Sequence, residues 1–83
     1  QTKTNNNMAV FPNPVTDFIY FTLESGKQYE VIIYDLPGNI IYKNYHESAE
    51  NKIDTKKWIN GTYIIKILSG ENNSDIHKII VAH

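Results

Sequence analysis

The stretch from Tyr29 to Tyr45 constrains the fold most. Two runs, Tyr29-Glu30-Val31-Ile32-Ile33-Tyr34-Asp35 and Ile40-Ile41-Tyr42-Lys43-Asn44-Tyr45, flank Leu36-Pro37-Gly38-Asn39. β-Branched and aromatic residues dominate both arms, and such side chains pack well on a pleated surface. Between the arms, Pro37 presets φ for the first turn position and Gly38 accepts positive φ at the second. The spacing predicts a β-hairpin. Neither arm carries apolar residues at a 3.6-residue period, and Pro37 would break a helix that spanned both. A central arm of this kind needs partners along each edge, which the rest of the chain must supply.

In order, Gln1 to Asn7 is polar and has nothing to bury, so residues 1–8 read as a linker or tail that something else is expected to precede, with the folded unit over 9–83. Met8 to Phe11 has the composition of a short first strand, stopped by Pro12-Asn13-Pro14, where two rings remove two backbone donors. Phe18 to Leu23 predicts a strand with Ile19, Phe21 and Leu23 on one face, closed by a turn over Glu24 to Lys27. In the first hairpin arm the Val31 side points inward, because the other choice buries Glu30. His46 to Lys52 reads as a polar loop that ends in a short Ile53-Asp54 strand, Thr55 to Ile59 as one helical turn, and Asn60-Gly61 as a turn. Thr62 to Leu68 follows as a central strand with Tyr63, Ile65 and Ile67 sharing a face, and Asp75 to Ala82 as the last strand with Ile79 and Val81 inward. About seven short strands, separated by turn signals and almost without helix, predict an all-β, immunoglobulin-like antiparallel sandwich.

The totals narrow the function. The chain has 83 residues, enough for one small core, and a formal net charge of −1 spread evenly along it. Such a balance gives no long-range field for capturing nucleic acid or an anionic membrane. No apolar run approaches the roughly 20 residues of a spanning helix. Without cysteine there is neither a disulfide framework nor a thiolate metal site. His46, His77 and His83 lack the spacing of a zinc site, and His46-Glu47 reads as loop polarity. No serine sits in a nucleophile elbow and no glycine loop resembles a phosphate cradle. No cofactor, metal site or catalytic residue is therefore predicted, and the chain reads as a non-enzyme.

Four ordered pieces carry a resemblance: Phe11-Pro12-Asn13-Pro14, Ile33-Tyr34-Asp35-Leu36-Pro37-Gly38, Gly61-Thr62-Tyr63 and Lys78-Ile79-Ile80-Val81. Together they resemble the C-terminal sorting domains (type A) of the type IX secretion system in Bacteroidota, from about Val10 to His83. The resemblance implies a folded address appended to a cargo protein, carried through the periplasm and recognised by an outer-membrane translocon, with the cargo ending at the cell surface or secreted. It also implies a sortase-like peptidase that cuts in or before the leader. The family often ends with Lys or Arg two positions after the Val, where this chain has His83, whose unperturbed imidazole is only partly charged near neutral pH.

Recognition residues are expected at Lys78, Ile80, Val81 and His83, because a last strand lies at a sheet edge open to strand addition, and at Pro12, Asn13 and Pro14. For the proline segment a rigid opening turn is the competing explanation. Asp35, Gly38, Gly61 and Tyr63 are expected to set the fold, Tyr63 by burying its ring while its hydroxyl bonds to backbone. Ile32, Tyr34, Ile64 and Ile80 fall on the outward face and predict an exposed apolar patch unless loops cover it. The alternative function is a carbohydrate-binding module, with Trp58, Tyr42 and Tyr45 as stacking platforms, or a spacer module of a secreted enzyme. Two open sheet edges also allow dimerisation by strand pairing in a crystal, which is not expected as the biological state.

Overall fold

Alternation of side chains along each strand decides which face becomes core. In the computed structural model, which describes residues 10–11, 14–24, 26–70 and 74–83, that alternation builds two antiparallel sheets. The strands are β1 (Val10–Phe11), β2 (Phe18–Thr22), β3 (Tyr29–Asp35), β4 (Ile40–His46), β5 (Glu50–Asp54), β6 (Gly61–Ser69) and β7 (Ser74–Val81). One sheet has the order β1-β2-β5 and the other β4-β3-β6-β7. Six strands have five residues or more, while β1 is a two-residue pairing on β2; there is no helix among the described residues.

The core lies between the sheets. Ile19 and Phe21 of β2, Val31 and Ile33 of β3, Tyr63, Ile65 and Ile67 of β6, and Ile79 and Val81 of β7 are all buried on the faces predicted for them. Leu23, Tyr29 and Ile53 complete the cluster together with Val15. Each such side chain contributes about 1.5–3 kcal/mol on burial, which is how a chain this short holds two sheets together. Edge strand β4 differs: none of its residues is buried, and it meets the core through half-buried Tyr42 and through His46, whose ring lies edge-on 5.3 Å from that of Phe21.

Four local expectations are corrected. The polar segment after His46 is mostly strand, because β5 pairs with β2 along its whole length and turns Glu50, Lys52 and Asp54 to solvent while Ile53 alone is buried. His46 itself belongs to β4, where Nε2 meets the Tyr42 hydroxyl at 2.8 Å and Nδ1 meets Asn51 Oδ1 at 3.0 Å, tying one sheet to the other. Thr55 to Ile59 forms a single turn rather than a helical one. Trp58 N–H donates to the Thr55 carbonyl at 3.0 Å, but Thr55 N–H is drawn to the Asp17 carbonyl at 2.8 Å and Lys56 N–H to the Asp54 carboxylate at 2.9 Å. Asn60-Gly61 does not reverse the chain; Gly61 already belongs to β6.

The hairpin turn is shifted by one residue. Gly38 N–H donates to the Asp35 carbonyl and Asp35 N–H to the Asn39 carbonyl, each at 3.0 Å, so Leu36 and Pro37 are the central pair and Gly38 follows at φ 103°. The Asp35 carboxylate explains the shift, since it accepts from Asn39 N–H at 2.7 Å, the Asn39 side-chain amide at 2.9 Å and Gly38 N–H at 3.1 Å. Asparagine and aspartate commonly start turns by such bonds. The adjoining ladder absorbs the offset as a bulge between Ile33 and Tyr34.

Candidate recognition site

Strand register brings together pieces that lie far apart in the chain. Asp35 of β3 is opposite Tyr63 of β6, Tyr63 is opposite Ile79 of β7, and Gly61 is opposite Val81. Val15, just after Pro14, makes a parallel bridge with Val81. The hairpin turn, the start of β6, the end of β7 and the segment leaving the proline run therefore share one end of the sandwich.

Val15 is the keystone of this end and was not singled out in the sequence. It is fully buried, its N–H donates to the Ile80 carbonyl at 2.6 Å, and its carbonyl accepts from Ala82 N–H at 2.9 Å. The even-numbered backbone groups at the end of β7 are thus turned away from β6 and closed by a strap. Strand addition, expected along the whole of β7, meets that strap at Ile80 and Ala82. The only sequence signal for Val15 is a lone aliphatic residue between prolines and polar residues, too short to show a period.

Below the strap lies the connection from β5 to β6. The Tyr63 ring is buried, stands 5.2 Å from the Trp58 ring, and its hydroxyl donates to the Ile59 carbonyl at 2.6 Å. Ile59 itself is 82% exposed. The same connection receives the residues after β7: His83 N–H donates to Asn60 Oδ1 at 2.9 Å, and His83 Nε2 lies 2.7 Å from the Trp58 carbonyl. A carbonyl only accepts, so Nε2 carries the hydrogen in this contact.

The recognition residues fall into three groups. Lys78 and Ile80 are exposed on β7, and Pro14 and His83 are exposed beside it. Val81 is 1% exposed and belongs to the core, on the inward face expected of it, so a partner reading this strand meets its neighbours and not its methyl groups. Pro12 and Asn13 lie outside the described residues. Asp35 is held by its turn, and its carboxyl is pushed below the ordinary 3.8, by the Asn39 side-chain amide above all and then by backbone N–H groups, against an opposing effect of desolvation. Gly38 occupies the left-handed region, where an L side chain would be strained. Gly61 opens β6 and Tyr63 anchors it.

The outward patch is smaller than alternation predicts. Ile32 is only 9% exposed, flanked across the sheet by Lys43 and Lys66, whose aliphatic stems can cover an apolar neighbour. Tyr34 and Ile64 are half-buried, and of the four Ile80 alone is exposed, at 42%. The three rings of the sugar-binding alternative do not form one platform. Trp58 is half-buried against Tyr63, Tyr42 faces the core, and Tyr45 pairs with Glu30 toward the far end of β3. Among the described residues no group of three or more His, Asp or Glu side chains could hold a metal ion.

The chain is thus an all-β sandwich of two antiparallel sheets with these turns and strand ends at one pole. Residues 9–82 match the family described as the secretion system C-terminal sorting domain, and the chain belongs to that family. It is a targeting signal of the type IX secretion system, which sends proteins to the cell surface or out of the cell. The chain is similar to part of an endo-acting ulvan lyase of Formosa agariphila, at 32% identity over 77 residues, covering 92% of this chain and 15% of that protein. It also shares the fold of part of PorZ, a surface component of the type IX secretion system of Porphyromonas gingivalis, with a TM-score of 0.76, 21% identity, and coverage of 92% of this chain and 11% of that one. The chain thus spans a small fraction of either relative.

Proposed function

We propose that this domain directs a fused cargo protein across the outer membrane, with the translocon reading the pole formed by the β3–β4 turn, the Val15 strap and the end of β7. The observation that carries the reading is the convergence, through register alone, of four separated sequence pieces on that pole, where Lys78, Ile80 and His83 stand exposed. The domain, over residues 9–83, passes through the periplasm folded, and a sortase-like peptidase then cuts in or before the leader of residues 1–8. It serves as signal and substrate, and any catalysis belongs to the cargo. The order β1-β2-β5 against β4-β3-β6-β7 supports counting the domain among immunoglobulin-like sandwiches of about seven strands, with β1 as the first.

The test is a reporter fused ahead of Gln1 in a host with this secretion system. The intact domain delivers the reporter to the surface, and a chain cut after Ile79 does not. Unchanged delivery of the cut chain, with its fold retained, would overturn the reading.

A further inference from the structure

The hydrogen bonds around the last residues have a consequence for how the signal is read. Four bonds hold residues 80–83 against two other parts of the chain: Val15 N–H to the Ile80 carbonyl, Ala82 N–H to the Val15 carbonyl, His83 N–H to Asn60 Oδ1, and His83 Nε2–H to the Trp58 carbonyl. None of them depends on the charge of His83, because both neutral and protonated imidazole can donate from Nε2. The Trp58 carbonyl is itself fixed, since the Trp58 ring packs on Tyr63 and Trp58 N–H is bonded to Thr55. Next to it, Ile59 is turned almost wholly to solvent while its carbonyl is held by the Tyr63 hydroxyl. Ile59 thus offers an exposed apolar side chain on a backbone held at its carbonyl.

We infer that Asn60 is a positioning residue for sorting: it fastens the end of the chain to the β5–β6 connection, so that the translocon reads a composite of Ile80, His83 and Ile59 rather than a linear peptide. The inference rests on the sorting function proposed above and names the surface through which it works. The partner it fits is a protein that covers the exposed apolar side chains of Ile59 and Ile80 and meets the hydrogen-bonded His83 beside them.

Four variants of the reporter fusion separate the possibilities. Asn60→Ala removes the acceptor for His83 N–H, while Asn60→Asp keeps Oδ1 in place; His83→Ala removes the donor to Trp58, while His83→Gln keeps an N–H of similar reach. Surface delivery is read together with the melting midpoint and the amide exchange rate of His83. The expected result is delivery lower by about fivefold for each alanine variant, the population shift of one ordinary hydrogen bond, with faster His83 exchange and an unchanged midpoint. The Asp and Gln variants restore delivery. His83 is exposed and outside the core, so its variants stay informative even if Asn60→Ala lowers the midpoint. Normal delivery by both alanine variants, with loss only when the chain is cut after Val81, would show a linear signal and overturn this inference while leaving the sorting function intact. Normal delivery by a chain cut after Ile79 would remove both.

Discussion

The two edge strands of the four-stranded sheet, β4 and β7, have similar lengths and opposite roles. β7 sends Ile79 and Val81 into the core and is bracketed at its end by Val15. β4 buries none of its residues, leaves Ile40, Ile41 and Tyr45 exposed, and is joined to the core side only through half-buried Tyr42 and the His46 contacts. An edge can therefore be part of the core or an apron laid over its rim, and pattern alone does not tell which.

The largest test of this contrast is a matched pair of alanines. Ile79→Ala is expected to cost about 2–5 kcal/mol in denaturant unfolding and Ile40→Ala no more than about 0.5 kcal/mol. Equal losses would erase the distinction. Next, Val15→Ala should cost about 2 kcal/mol through lost methyl groups and the cavity they leave, and should loosen the end of β7 before the rest of the domain, as amide exchange at Ala82 would show. The attachment of β4 is probed more gently by Asp35→Ala, which removes three hydrogen bonds from the turn and is expected to lower the melting midpoint by less than the Val15 change. Because the folded carboxyl of Asp35 is depressed, its contribution is complete above the ordinary carboxylate value and is lost as the pH falls below about 3.8 through the folded value. A carboxyl titration followed by NMR gives the sign directly. The smallest effect is a gain: Thr55 is fully buried with a hydroxyl that has no partner among the described residues, so Thr55→Val should raise stability by up to about 1 kcal/mol beneath the residues that hold His83.

Period-two alternation made the core legible. Ile19, Phe21, Val31, Ile33, Ile65, Ile67, Ile79 and Val81 all lie on the sides predicted, because each strand must choose one dry face. β5 was legible only at its end, Ile53-Asp54, since a strand that contributes a single aliphatic residue otherwise has the composition of a loop and is defined by its backbone pairing to β2. Turn phase failed for a related reason: the Asp35 carboxylate competes with the Pro-Gly pair for control of the chain reversal, and side-chain acceptance is invisible to dipeptide preference. For the site, the sequence displayed its pieces but not their meeting place. Asn60 resembled a turn former because its true partner, the amide of His83, lies 23 positions away.

One segment near the start of the described chain touches both layers. Val10–Phe11 pairs with β2 in one sheet, and four residues later Val15 lies parallel to Val81 in the other. Release of the pairing at Val10–Phe11 would therefore still leave the chain held at Val15 by the other sheet. The upstream side of the domain is thus fastened to both layers within six residues.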